Sequence, residues 1–118
     1  MLGNTGGGRD TWKRPIMGGI ADLYCAHVIL TNEDPYDEDP AKILEEMRSG
    51  MKKQNPEIIL DRRLAIARAL SLAQKEKNSV VLITGKGTDP FIMGPSGTKL
   101  SWDDRAIARE ELKKIYSA

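Results

Sequence analysis

The chain has 118 residues, with 18 Lys and Arg against 17 Asp and Glu, a formal net charge of +1. The length predicts one domain over residues 1–118, and near-neutrality argues against a nucleic-acid partner, which would require a clustered basic face. A single cysteine, Cys25, and a single histidine, His27, exclude an internal disulfide and a zinc site built from these two residue types alone. No apolar run approaches the ~18 residues of a membrane span, and no signal-like segment opens the chain. These features predict a cytoplasmic domain.

The first third of the chain predicts a loop, a helix and a strand. Four glycines fall within the first eight residues, so residues 3–11 are expected to form a loop. A helix is predicted from Lys13, and its Gly18-Gly19 pair suggests close packing against a neighbouring backbone. Its apolar residues at helical spacing are Ile16, Met17, Ile20 and Leu23. Residues 27–30 predict a buried strand that begins with a structural His27, and Cys25 is expected to be a small core residue.

The middle of the chain predicts two helices and two strands. Asp39-Pro40 favours a helix start at Pro40, and that helix would run to residues 49–50 and bury Ile43, Leu44 and Met47. A strand over residues 57–60 and a helix from Arg62 to about Lys77, capped by Asp61, follow. The apolar face of that helix comprises Leu64, Ile66, Ala69, Leu70 and Ala73. Residues 79–84 are apolar on both faces and predict the central strand of the sheet.

The last third predicts a hairpin or covering loop, with residues 91–93 and 99–100 on either side of residues 94–97. A final amphipathic helix is expected from Asp103, with Ile107, Leu112 and Ile115 on its apolar side. The alternation of helices and strands predicts an α/β domain with a mainly parallel sheet. Ligands of such sheets bind beyond the carboxyl ends of the strands. Three loops are expected there, at residues 3–11, 31–39 and 85–90.

Generic motifs do not explain these loops. The dinucleotide and P-loop templates fail at Thr11 and at Gly85-Lys86, and two tight turns are the simpler interpretation of the glycines. No serine or cysteine has the sequence context of a nucleophile. The acidic residues 33–39 lack the spacing of a calcium loop, so a solvated loop with one helix cap is the default there.

Taken in order, the motifs resemble the Mur ligases. The segments Gly6-Gly7-Gly8-Arg9-Asp10 and Lys13-Arg14-Pro15-Ile16-Met17-Gly18 are similar to the G-G-D-R-D and K-R-P-L-M-G motifs of that family. Residues 33–40 resemble D-N-P-R…E-D-P, and residues 61–66 resemble D-R…A-I. Residues 85–87 resemble the start of G-K-G-H-E, and residues 102–105 resemble F-D-D-R. The matches are collinear, span nearly the whole chain and are most similar to members that add the third residue of the peptidoglycan stem peptide.

The resemblance implies a Rossmann-like three-layer C-terminal domain whose first strand is truncated. It also implies an ATP-dependent ligase in which an amine attacks an acyl phosphate. ATP and Mg²⁺ would be bound mainly by a central domain, so this domain has no catalytic residue or metal ligand and should be inactive alone. The implied partners are UDP-N-acetylmuramoyl-dipeptide, a diamino acid, and the N-terminal and central domains of the same enzyme, with no nucleic acid and no membrane.

Residue roles carry over from the resemblance position by position. Arg9 would bind the α-carboxylate of the incoming amino acid, since guanidinium and carboxylate pair well. Glu33, Asp34, Pro35 and Tyr36 occupy the amino-acid recognition segment, Gly85 would offer backbone contact, and Asp89 would face the substrate amine. Nucleotide-side contact or support of the loops is expected of Asp10, Lys13, Arg14 and Lys86. Structural capping is favoured for residues 61–62 and 103–105.

Four positions depart from the family pattern: Gly8, Asp34, Tyr36 and Asp89, which replace aspartate, asparagine, arginine and glutamate. The neutral hydroxyl of Tyr36 cannot reproduce a bidentate ion pair with a distal carboxylate. Glu33, Asp34 and Asp89 would make the pocket acidic, which favours a terminal ammonium without a carboxylate beside it. We therefore expect a preference for L-lysine or ornithine over meso-diaminopimelate, unless Arg14 or an arginine of another domain replaces the lost one. Two alternatives remain: a folylpolyglutamate- or cyanophycin-type ligase domain, and a free-standing, non-catalytic binding module.

Overall fold

The computed structural model describes residues 1–117, which fold into four helices, four short strands and one 3₁₀ turn. The helices are α1 (Lys13–Tyr24), α2 (Pro40–Arg48), α3 (Arg62–Gln74) and α4 (Asp104–Ser117). The strands are β1 (Ile29–Leu30), β2 (Glu57–Ile58), β3 (Phe91–Met93) and β4 (Lys99–Ser101), with the 3₁₀ turn at Pro95–Gly97. No helix within residues 1–117 is both long enough and apolar enough to cross a membrane.

The strands form two small sheets. β1 and β2 are parallel, with Ile29 opposite Glu57, and Leu2 adds a parallel bridge to Leu30. β3 and β4 form an antiparallel hairpin with Ile92 opposite Leu100, as predicted for the segment around residues 94–97. The predicted α/β class with parallel pairing at its centre is confirmed.

Helices cover both faces of the parallel sheet. On one face, α1 and α2 pack together over the core residues Ala21, Val28, Leu30, Leu44 and Met47. On the other face, α3 packs on β1 through Ile29, Ala65 and Ala69, and α4 packs against α3. The result is the expected three-layer arrangement, with Leu2 packed in the first core cluster and Met1 in the second.

Three aspartates begin helices as predicted. The Asp39 carboxylate accepts the N–H of Ala41 with Pro40 at the first helical position, and the Asp61 carboxylate accepts the N–H of Leu64. Asp103 accepts the N–H groups of residues 105 and 106. Each carboxylate satisfies a backbone donor that the helix itself leaves unpaired.

The packing of α1 on α2 is backbone against backbone, as Gly18-Gly19 predicts. A Cβ at Gly18 would collide with the Met47 carbonyl, and a Cβ at Gly50 would collide with the Pro15 carbonyl. This contact turns Arg14, Gly18, Ala21 and Asp22 inward. The predicted apolar face is therefore wrong for Ile16, Ile20 and Leu23, which are all more than half exposed. Its fourth residue, Met17, packs against the first core cluster.

Residues 79–84 do not form the predicted central strand, and Val80 and Leu82 are 91% and 65% exposed. The only backbone pairing of residues 79–84 with the sheet, among the described residues, is to Met1: the Met1 amino group donates to Leu82 O, and Thr84 N–H donates to Met1 O. A strand without a neighbour along most of its length has neither a hydrogen-bonded ladder nor covered side chains. The apolar pattern is real, but the part of the sheet that would bury it is not provided by residues 1–117.

Several other residues and element ends also differ from the sequence predictions. Cys25 and His27 were expected in the core but are exposed, because β1 begins only at Ile29. α3 ends at Gln74 and β2 at Ile58, short of the predicted ends. Leu64 is 59% exposed, since Ala65 and Ala69 are the α3 residues that pack on Ile29. On α4, Leu112 is 39% exposed.

Candidate functional site at the loop edge

Three loops meet beyond the carboxyl ends of the parallel strands: residues 3–11, 31–39 and 84–90. We call this region the loop edge. Gly6 N–H donates to Asp34 O at 2.6 Å, and a Cβ on Gly6 would collide with the Pro35 carbonyl, so the first two loops are in backbone contact. The ammonium of Lys86 in the third loop reaches Asp34 in the second. The loops predicted to carry the site are therefore in mutual contact.

Lys86 and Asp34 form a buried ion pair. Lys86 Nζ lies 2.8 Å from both carboxylate oxygens of Asp34, and Met93 N–H donates to Asp34 Oδ1 at 2.8 Å. Lys86 is 2% exposed and Asp34 8%. The expectation that Asp34 adds negative charge to an open pocket is wrong, because a lysine balances its charge. The pair links the second and third loops of the loop edge.

Glu33 is a partly buried carboxylate of the loop edge. It is partly buried against Gly85, and among residues 1–117 it has no ion pair within 4 Å. Burial raises its pKa, an effect that Asp34 reinforces and that Arg62 and Lys86 partly oppose. A cation placed beside Glu33 would relieve the cost of this burial.

Tyr36 and Asp89 flank this cluster. Tyr36 has a left-handed backbone conformation with φ of 52°, its N–H donates to Met93 O, and its side chain is accessible. The exposed Asp89 carboxylate lies 3.5 Å from Lys86 Nζ. Pro35, between Asp34 and Tyr36, is buried. Glu33, Asp34, Tyr36, Gly85, Lys86 and Asp89 thus form one connected group.

Arg14 is fully buried, and its guanidinium is hydrogen-bonded to other groups of the protein. Its guanidinium donates to Asn4 Oδ1 and Thr5 O, to both oxygens of Glu38 and to Glu46 Oε2. These five hydrogen bonds use all five N–H donors of an arginine. Hydrogen bonds from Arg14 lower the pKa of Glu38 despite opposing desolvation. Arg14 therefore supports the loops and has no donor left to replace the family arginine at position 36.

Arg9, Asp10 and Lys13 lie apart from the cluster. Arg9 is exposed in a turn and makes no ion pair among the described residues. Asp10 has a positive φ of 52° and lies 3.9 Å from Lys13 Nζ, an interaction of two accessible side chains. The neighbouring Gly8 N–H donates to Glu38, which anchors the turn.

Arg62 connects the loop edge to the start of α4. The sequence motifs at residues 61–62 and 103–105 predicted capping alone. Its guanidinium makes two hydrogen bonds of 2.7–2.8 Å to Asp104 and also donates to Asn32 O and Thr84 O. Burial acts to raise the pKa of Asp104, but hydrogen bonds from Arg62 and Trp102 lower it overall. The sequence did contain a signal for this ion pair. Asp61-Arg62 and Asp103-Asp104-Arg105 place an arginine and an aspartate at the starts of two different helices.

The acidic residues 33–39 have separate structural partners. Asp37 accepts Ser96 N–H, Glu38 binds Arg14, and Asp39 caps α2. Within residues 1–117, no three His, Cys, Asp or Glu side chains converge in a way that could hold a metal ion.

Comparison with known proteins agrees with this architecture. The family model described as "Mur ligase, glutamate ligase domain" matches residues 2–87. A UDP-N-acetylmuramoyl-L-alanyl-D-glutamate–2,6-diaminopimelate ligase of Clostridioides difficile is 42% identical over 113 residues, which are 93% of this chain and 22% of that protein. The protein of the same name from Bacillus cereus is 40% identical and covers 91% of this chain and 21% of its own length.

A solved structure of a protein with that name superposes on 97% of this chain and 23% of its own chain, with a TM-score of 0.81 and 32% sequence identity. The chain spans about a fifth of the length of the curated relatives it matches. With nearly three quarters of its residues matched by the family model, the chain belongs to the Mur ligase family and corresponds to its glutamate ligase domain.

Proposed function

We propose that this chain is the C-terminal, amino-acid-binding domain of an ATP-dependent ligase that adds a diamino acid, as third residue, to UDP-N-acetylmuramoyl-dipeptide. The observation that carries the proposal is the family match, whose motifs converge at the loop edge. Both curated relatives have a muramoyl dipeptide in their names, which favours this role over a folylpolyglutamate- or cyanophycin-type ligase.

The domain's contribution is to bind and orient the amino acid. Arg9, exposed on the turn of the glycine loop, would take the α-carboxylate. Glu33 would take the distal ammonium, because its carboxylate is partly buried and unpaired among the described residues. Asp89 and the Gly85 backbone would adjoin the attacking amine. Holding a nucleophile in place can supply several kcal/mol of barrier reduction.

As part of the same proposal, ATP and Mg²⁺ would be held mainly outside this domain, by a central domain of the same enzyme. Accordingly, we expect the 118-residue chain to show no ligation by itself. A purified chain that forms the tripeptide product without further domains would contradict this part of the proposal.

For the amino acid, we propose L-lysine or ornithine rather than meso-diaminopimelate. Tyr36 replaces the arginine of the family motif, and the five donors of Arg14 are occupied, so neither can bind a distal carboxylate as an ion pair. Next to Gly85 and Lys86, the charge without an ion pair among residues 1–117 is negative, on Glu33. The two curated relatives have 2,6-diaminopimelate in their names, which makes position 36 the point of difference to test.

The experiment is a ligation assay on an enzyme that joins residues 1–118 to the preceding domains of the C. difficile relative. We expect faster turnover with L-lysine or ornithine, and a Tyr36→Arg variant should shift the preference towards meso-diaminopimelate. Tyr36→Phe, which removes the hydroxyl without adding charge, is the matched control. Faster turnover of the unaltered chimera with meso-diaminopimelate would overturn the selectivity, and no ligation with any diamino acid would overturn the function.

A further inference from the structure

Glu38 contacts two segments of the loop edge. We call residues 6–10 the glycine turn and residues 33–36 the recognition segment. The Glu38 carboxylate accepts the N–H of Gly8 in the glycine turn. The Glu38 backbone N–H donates to Pro35 O in the recognition segment at 3.0 Å. Glu38 therefore connects the two segments through its side chain and its backbone.

The glycine turn has few other connections to the protein. Gly7, Gly8 and Asp10 have positive φ values of 82°, 73° and 52°, and all three residues are exposed. Among residues 1–117, the bond from Gly8 to Glu38 is the only hydrogen bond that residues 7–9 form. Glycine has more conformations available than any other residue, so this turn depends on its one hydrogen bond for a fixed position.

Arg14 fixes the Glu38 carboxylate. Arg14 Nη1 donates to Glu38 Oε2 at 2.9 Å and Nη2 donates to Glu38 Oε1 at 3.2 Å, a two-bond contact between a planar guanidinium and a carboxylate. The fully buried Arg14 is itself held by Asn4 Oδ1 and Thr5 O. Glu38 Oε1 is also the atom that accepts the N–H of Gly8. The acceptor used by the glycine turn is therefore attached to the interior of the domain.

The glycine turn and the recognition segment also lie side by side. Gly6 N–H donates to Asp34 O, and a Cβ on Gly7 would lie 3.9 Å from Tyr36 Cδ2. Arg9, two residues after Gly7, is exposed and has no ion pair among residues 1–117. The position of the glycine turn therefore sets the separation between Arg9 and the recognition segment.

We infer that Glu38 is a positioning residue for amino-acid binding, because its carboxylate holds the glycine turn where Arg9 can bind the α-carboxylate while the recognition segment binds the distal end. The inference rests on the proposed function, in which Arg9 takes the α-carboxylate. That carboxylate is common to lysine, ornithine and meso-diaminopimelate, so the inference does not depend on which of them is preferred. Glu38 itself would touch no substrate atom.

The test uses the chimeric enzyme described above, at saturating ATP and dipeptide, and separates the reach of the Glu38 side chain from its charge. Glu38→Asp keeps the charge beside Arg14 but is too short for Gly8 N–H, so KM for the amino acid should rise about tenfold. Loss of binding alone should leave kcat within about threefold. Glu38→Gln keeps the length and an acceptor oxygen and should stay near the parental KM. The matched control Glu46→Gln removes the other carboxylate bound to Arg14 and should leave KM unchanged.

A double-variant cycle shows whether Glu38 acts through Arg9. Arg9→Ala should raise KM by at least as much as Glu38→Asp, and the double variant should exceed Arg9→Ala by less than about twofold. A double variant that shows the product of the two single increases would overturn the inference, as would equal KM values for Glu38→Asp and Glu46→Gln. Parental KM in Arg9→Ala would instead contradict the role of Arg9 in the proposed function, and the inference with it.

Amide hydrogen exchange on the 118-residue chain tests the contact without activity and without a variant. Gly87 is the internal reference, because it is also an exposed glycine with positive φ and its N–H has no hydrogen-bond partner among residues 1–117. After correction for intrinsic rates, Gly8 should exchange more slowly than Gly87. Glu38→Asp should remove this difference and Glu46→Gln should keep it. Equal rates for Gly8 and Gly87 in the unaltered chain would overturn the inference.

Discussion

The loop edge differs from the strand slot, the cavity between β1 and residues 78–82 above α3, in how completely the chain satisfies its own polar groups. At the loop edge, each of the three buried cations, Arg14, Arg62 and Lys86, has a carboxylate partner within hydrogen-bond distance. At the strand slot, Val80 and Leu82 are exposed and backbone groups of both rims are unpaired. Ion pairs within this chain therefore stabilise the loops of the candidate site. The sheet next to these loops keeps unpaired backbone groups and exposed apolar side chains within residues 1–117.

The largest effect is expected from replacing Arg62, because its ion pair stabilises the loop edge. Arg62→Met would leave Asp104 buried without its cation and would remove donors from Asn32 O and Thr84 O. Breaking a buried pair in this way costs roughly 3–5 kcal/mol of unfolding free energy. Urea unfolding measures it, with the exposed Arg105→Met as control. A loss below about 1 kcal/mol would show that the loop edge does not depend on this pair.

Lys86→Met tests the second buried pair, and we expect a loss of about 3 kcal/mol in unfolding free energy. The effect should be smaller than at Arg62, because Asp34 keeps the N–H of Met93. Asp34→Asn in the same background should recover part of the loss by removing the unpaired charge. Denaturant unfolding of the single and double variants gives the coupling. Equal stability of Lys86→Met and the exposed control Lys53→Met would contradict the buried pair.

Gly18→Ala tests the backbone contact that fixes α1 on α2. In an exposed helix the change would stabilise by about 1 kcal/mol, but here the new methyl meets the Met47 carbonyl, so we expect a loss of about 1–3 kcal/mol. Gly19→Ala is the matched control, with 3.0 Å between the added Cβ and Gly50 O, and should cost less. Thermal unfolding of both variants suffices. Stabilisation by Gly18→Ala would show that the helices are not in close contact.

The smallest effect is expected at the rim of the strand slot. Val80→Ser should change the unfolding free energy of the 118-residue chain by less than about 0.5 kcal/mol, because the side chain is 91% exposed. Ile29→Ala, on the buried side, should cost about 2–5 kcal/mol. Both are measured by urea unfolding.

Local chemistry made much of the fold predictable. Asp39, Asp61 and Asp103 act as caps because an N-terminal carboxylate and the first helical turn interact over a few residues, without help from the rest of the chain. Gly18-Gly19 predicted a close backbone approach for a similar reason, since glycine in a helix is costly unless something uses the missing side chain.

The predictions were wrong where the same sequence pattern can be either buried or exposed, or where a charge can be either paired or unpaired. The spacing of Ile16, Ile20 and Leu23 on α1 is that of a core face, yet contact through Gly18 turns this face to solvent. Residues 79–84 have the composition of a central strand, but composition does not specify whether neighbouring strands exist. Asp34 looked like a free acidic group, and only Lys86, 52 positions away, shows that its charge is balanced.

The sequence by itself determined the helix starts, the family, the three loops that would form a site and the element order outside residues 79–84, because all of these depend on nearby residues or on collinear motifs. The tertiary structure alone decided which charged groups remain available at that site: Arg14, Lys86 and Asp34 are bound within the protein, while Glu33 and Arg9 are not paired among residues 1–117. It also decided that the apolar residues 79–84 border an open slot. The physical reason is that partners distant in sequence set charge compensation and strand pairing, and only folding brings them together.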